Sequence, residues 1–150
     1  MSYESRVIYE PARIHAAAIY CSDGRVGEHF DDFLQNGLEL PRYDRLALPG
    51  GPACLAGHTE AHIEEQGVID ELNFLVDVHK LERVVLIAHQ GCAFYGTRLD
   101  LPAAFTEHQQ MVDLIKASRF IQRITTIRQV DAYMLRLNEN KVRFEEVKLT

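Results

Sequence analysis

Three side chains able to grip a soft divalent metal occur in two short words of this sequence. The first word is Cys21-Ser22-Asp23-Gly24-Arg25, and the second is His89-Gln90-Gly91-Cys92. Two thiolates and one imidazole make a zinc site with one position left over, the arrangement of a catalytic rather than a closed structural zinc. Each word follows an apolar run, Ala16 to Tyr20 before the first and Val84 to Ala88 before the second. Two parallel strands ending at one edge of a sheet would bring Cys21, His89 and Cys92 together. The competing reading makes each Cys a small buried apolar group and His89 a satisfied core histidine. For one Cys alone that reading usually wins; three such residues at strand ends favour Zn²⁺.

The rest of the chain supplies elements that could position those words. Strand and helix signals alternate, which is the pattern of a parallel sheet covered by helices on both faces. Strands are expected at 14–21, 44–48 and 83–88, the last apolar throughout because both faces are covered. A short helix is expected from Glu28 to Gln35, and a longer one from Thr59 to His79 with Ile63, Val68, Ile69, Leu72, Leu75 and Val76 at near-helical spacing. A third covers Ala103 to Ile127, with a candidate break at Ala117-Ser118. Between the second strand and the second helix, Pro49-Gly50-Gly51-Pro52 reads as a loop that no regular element crosses. The last residues alternate around Asn138-Glu139-Asn140-Lys141 and read as a hairpin. The expected fold is a single three-layer α/β/α domain over residues 1–150, with a mostly parallel central sheet and a C-terminal antiparallel hairpin strand.

Cys-x-Asp-x-Arg followed by His-x-x-Cys resembles the β-class carbonic anhydrases, in which Cys, His and Cys bind zinc and the Asp–Arg pair flanks it. The likeness runs from near Ile14 to the end in the order of expected elements. It implies zinc-dependent reversible hydration of carbon dioxide to bicarbonate, with Asp23 and Arg25 as the catalytic pair. In that family the Arg holds the carboxylate, which either accepts a hydrogen bond from the water at the metal or takes the metal's fourth position; the sequence leaves both open. A surface ion pair worth ~0–1 kcal/mol is the plainer reading of the two residues. Two thiolates cancel the charge of zinc, so water there should ionise less readily than the ~7 of a zinc held by three histidines. Hydration is therefore expected to grow towards alkaline pH.

The sequence departs from many of its relatives in three places. Leu48-Pro49-Gly50-Gly51-Pro52 stands where they carry Arg-Asn-Ala-Gly-Asn, and Ala93 follows Cys92 where they carry Gly. The backbone amides of Gly50 and Gly51 are candidates for a substrate contact, against the commoner role of a tight turn. Few residues precede the first strand, so a helical N-terminal arm is missing or reduced to a stub, and no pocket-lining residue carries over. Two other functions stay in view. One is a zinc hydrolase of carbonyl sulfide or carbon disulfide, which the apolar loop and Phe94-Tyr95 would favour. The other is a zinc-binding relative without catalysis.

Composition narrows the classes further. At 47% apolar residues the chain can bury a real core, roughly two-thirds of its unfolded surface. A net charge of −6 with no basic run argues against nucleic acid. Apolar stretches fall short of the ~20 residues of a membrane span, and Met1 to Arg13 has no apolar signal core, so a soluble, cytoplasmic protein is expected. Three cysteines, Cys21, Cys54 and Cys92, do not read as a disulfide framework, and Cys54 reads as a small buried residue. His29, His58 and His62 fall near the expected mouth and could carry protons near neutral pH, although surface histidines are common. The family resemblance implies a homodimer or a higher homo-oligomer.

Overall fold

The structure, a computed structural model, describes all residues from Met1 to Thr150. Strands β1 (Ala16–Cys21), β2 (Asp44–Leu48), β3 (Arg83–His89), β4 (Gln129–Asn138) and β5 (Lys141–Glu146) form one sheet in the order β2-β1-β3-β4-β5. The first four run parallel, and β5 pairs antiparallel with β4 as the expected hairpin. Parallel strands are buried on both faces, and β1 and β3 show it: Ala17, Ala18, Ile19 and Val84 to Ile87 have no exposed surface.

Alternate residues of each strand face opposite layers. Ala17, Ile19, Val84 and Leu86 pack with α2 (His62–His79) and α3 (Ala103–Ile124), which bury Val68, Leu72, Leu114 and Ile121 on one face. Ala18, Tyr20, Val85 and Ile87 pack on the other face against Phe30 of α1 (Gly27–Asp32) and Leu34. This is the expected three-layer α/β/α arrangement.

Local details differ from the sequence expectations. The first helix is α-helical only to Asp32 and finishes as a π-helical turn over Phe33–Gly37. The stretch expected to be an irregular loop becomes a 3-10 helix at Gly51–Leu55, because Pro52 sits in its first turn, where a missing N–H costs nothing. The second helix opens with a 3-10 turn, Thr59–Ala61, before α2 proper. Ile63, placed on its apolar face by spacing, is 83% exposed, since the core-facing positions are Val68 and Leu72. α3 is continuous through Ala117 and Ser118, both buried, and stops at Ile124. Residues 1–13 have no regular structure and expose Tyr3, Val7, Ile8 and Tyr9.

Candidate metal centre

The register pairs Ile19 with Leu86, so β1 and β3 finish side by side at their carboxyl ends, where parallel sheets bind ligands. Cys21 is the last residue of β1 and His89 the last of β3; Cys92 follows one tight turn later. Their sulfur and ring-nitrogen atoms lie within 4.8 Å of one another, and the two sulfurs are 3.9 Å apart. Tetrahedral bonds of typical Zn–S and Zn–N length separate neighbouring ligand atoms by roughly 3.5–3.8 Å. The spacing is that of a ligand set.

The hydrogen bonding of His89 makes the case stronger. Its Nδ1–H donates to the Gln90 carbonyl at 3.0 Å, leaving Nε2 as the lone-pair nitrogen. Nε2 is buried and has no partner at all. A buried acceptor left unmade costs about 1–3 kcal/mol, and a metal ion beside the two sulfurs relieves it. A core histidine satisfied by protein neighbours would not leave this nitrogen empty.

One of the two sulfurs is favoured as a thiolate. The Cys92 thiol donates to Cys21, and with the backbone amides of Asp23 and Gly50 it favours the ionised Cys21 against the cost of burial. The proton that remains is held by Cys92, whose thiol is pushed up first by that same bond and then by burial, while the amides of Phe94 and Tyr95 favour its thiolate. Without a metal the pair therefore shares one proton, and both sulfurs ionise when a cation replaces it. Cys54 lies elsewhere in the core; burial pushes its thiol up to about 12.

Gly50 and Gly51 act at this point through their backbones. The Gly50 amide favours the ionised form of Cys21. Gly51 has φ of +53°, and a Cβ there would lie 2.7 Å from the Tyr20 carbonyl carbon and 2.9 Å from the Cys21 nitrogen. Only glycine lets this loop approach the end of β1.

Asp23 sits on Arg25. The guanidinium Nη2 is 2.7 Å from Oδ2, Nε is 3.0 Å from Oδ1, and the Arg25 amide donates to Oδ1 at 3.0 Å. These bonds, the side-chain ones foremost, hold the carboxyl at about 2. Asp23 stands outside the converging trio, and its side chain is 17% exposed against 78% for Arg25. Asp23, Arg25, His29, His89 and Gln90 line a cavity of about 170 Å³.

Of the histidines weighed in the sequence, His29 lines this cavity, whereas His58 is bonded to Asp113 in α3 at 2.8 Å and His62 is exposed. Phe94 and Tyr95, considered for an apolar substrate pocket, are core residues with 5% and 2% exposure. The sequence reading missed Gln110 and Asp113, two buried polar residues of α3 that reach the turn between His89 and Tyr95. Their signal was available: they interrupt the apolar stripe Leu114, Ala117 and Ile121 at helical spacing.

A family described as "Putative carbonic anhydrase" matches residues 12–147. The chain belongs to that family. No curated protein sequence matches it. Among solved structures it is similar to the crystal structure of the β-carbonic anhydrase CafA of the fungal pathogen Aspergillus fumigatus. That similarity has 16% sequence identity and a TM-score of 0.47, over 91% of this chain and 77% of that one. Family membership agrees with the resemblance read from the two words, and it covers both of them. No helix of the structure is long and apolar enough to cross a membrane.

Proposed function

We propose that this chain is a zinc lyase that hydrates carbon dioxide reversibly, built as one zinc-binding domain over residues 1–150. The observation that carries the reading is the buried, partnerless Nε2 of His89 beside two sulfurs 3.9 Å apart. Cys21, His89 and Cys92 would hold the ion. Zinc in that position would supply a Lewis acid that lowers the pKa of water, so that attack on an electrophilic carbon would grow towards alkaline pH.

The protein's own residues do the rest. Asp23 keeps an oxygen lone pair free to orient the attacking water, since Arg25 fills only part of its acceptor capacity. Arg25 fixes that carboxylate through a fork and offsets its charge beside two thiolates. The amides of Asp23, Gly50, Phe94 and Tyr95 spread the sulfurs' negative charge. His29, at the cavity wall, is placed to pass the released proton to buffer.

The sulfur-containing substrates have less support than carbon dioxide, because Phe94 and Tyr95, the apolar residues that would favour them, are spent on the core. The cellular site we assign is the cytoplasm, and the assembly a homodimer or larger. Metal analysis of the purified protein, coupled to stopped-flow carbon dioxide hydration between pH 7 and 9, tests the reading. It expects close to one zinc per chain and a rate that climbs with pH. Metal-replete protein with no hydration anywhere in that range would mark a zinc-binding relative without catalysis.

A further inference from the structure

Buried polar side chains are rare in this protein: His89, Gln110, Asp113 and Ser118. Burying a carboxylate is costly unless it is fully bonded, so Asp113 demands a reason that its apolar neighbours Leu114 and Ile121 do not. Gln110 Nε2 donates to the His89 carbonyl at 2.8 Å. One turn later, Asp113 Oδ2 accepts from the Tyr95 hydroxyl at 2.7 Å and meets His58 Nε2 at 2.8 Å, while Oδ1 accepts from Gln109 at 2.8 Å. Tyr95 lies three residues past Cys92, on the same turn. His58 lies just past Gly51–Leu55, the turn whose Gly51 packs against the backbone of Tyr20 and Cys21. One face of α3 thus bonds the backbone of His89, the side chain of Tyr95 beyond Cys92, and the segment that leans on Cys21.

We propose that Gln110 and Asp113 are positioning residues: together they clamp the His89–Tyr95 turn in ligating geometry before an ion arrives, so that α3 sets metal affinity. The inference rests on the zinc reading above. An apolar pair at these positions would pack against Leu114 and Ile121 at lower cost but leave the turn to find its own conformation. Groups that orient metal ligands from behind commonly change affinity by about 10- to 100-fold when removed.

Two measurements on the same variants separate the clamp from the metal. Amide hydrogen exchange on metal-free protein reads the order of residues 90–98, and chelator competition reads zinc affinity. Gln110→Met and Tyr95→Phe should each raise exchange in that turn about tenfold while the amides of β1 and β3 stay protected, and weaken zinc by about 10- to 100-fold. Asp113→Leu should do both, with Asp113→Asn, which keeps an acceptor for Tyr95, recovering most of the loss. Ser118→Ala, buried in the same helix but bonded to nothing in the turn, should change neither. Exchange rising evenly through the sheet, or zinc affinity holding in the clamp variants, overturns the proposal in favour of plain core stability. A parent protein that takes no zinc, with the turn still loosening in the variants, sinks the zinc reading and leaves the clamp.

Discussion

Substituting Gly51 by alanine adds one methyl group and should cripple the site without touching a ligand. Two costs combine. With φ of +53°, a residue bearing Cβ pays about 1–2 kcal/mol for the left-handed conformation. The new methyl would also lie 2.7 Å from the Tyr20 carbonyl carbon and 2.9 Å from both Tyr20 Cα and the Cys21 nitrogen. These are backbone atoms of β1, which cannot rotate away as a side chain can. Overpacking of this kind costs about 1–3 kcal/mol, so the total is about 2–5 kcal/mol out of a stability of about 5–15 kcal/mol.

Gly67→Ala is the matched control. Gly67 lies inside α2 with nothing within 4 Å of an added Cβ, so alanine there should stabilise by about 0.5–1 kcal/mol. Urea unfolding of the metal-free proteins compares the two at constant m-value. Zinc affinity adds a second axis, because relief of the Gly51 clash must displace either the end of β1, and with it Cys21, or the loop that brings the Gly50 amide to the sulfur. Gly51→Ala should lose zinc affinity and Gly67→Ala should keep it. A Gly51→Ala protein within 1 kcal/mol of the parent, binding zinc as tightly, would refute the close approach on which the first ligand's placement depends.

Four further outcomes are expected from the site itself. Asp23→Ala should abolish carbon dioxide hydration while bound zinc stays near one per chain; retained turnover removes Asp23 from the mechanism. Arg25→Ala should return the Asp23 carboxyl from about 2 towards its ordinary value, as read by carboxyl NMR titration. The sign follows from the depressed pKa: the pair's stabilisation is complete above the unfolded value near 4 and disappears as the pH falls through about 2. His29→Ala should slow turnover most in dilute buffer and recover in concentrated imidazole, whereas a loss that no buffer rescues would make His29 structural. A thiol reagent should label the metal-free protein first at Cys21, whose ionised form is favoured, and zinc should protect it. Cys54, buried and held at about 12, should stay unlabelled in the folded state.

What could be read from the sequence is what obeys a period or a spacing. β3 was visible because five consecutive apolar residues, Val84 to Ala88, suit only an element covered on both sides, and Cys21, His89 and Cys92 because strand ends at one sheet edge must converge. The π-helical turn after α1 and the 3-10 turn at Gly51–Leu55 were not, since neither follows the period of an α-helix or a strand. Gly37 and Gly51 lie where an added Cβ would strike Phe33 and the β1 backbone, and neither fact has a signature in local pattern. Ile63 misled because spacing alone cannot tell which stripe of α2 turns inward. The same limit explains the α3 clamp. Gln110 and Asp113 break an apolar stripe, which a sequence records as a defect. Only the sheet edge lying under that stripe turns the defect into a support, with the His89 carbonyl and the Tyr95 hydroxyl waiting for partners. The convergence of Cys21, His89 and Cys92 follows from the strands that end there, and the bonds that brace their turn come from a helix that the strands alone do not announce.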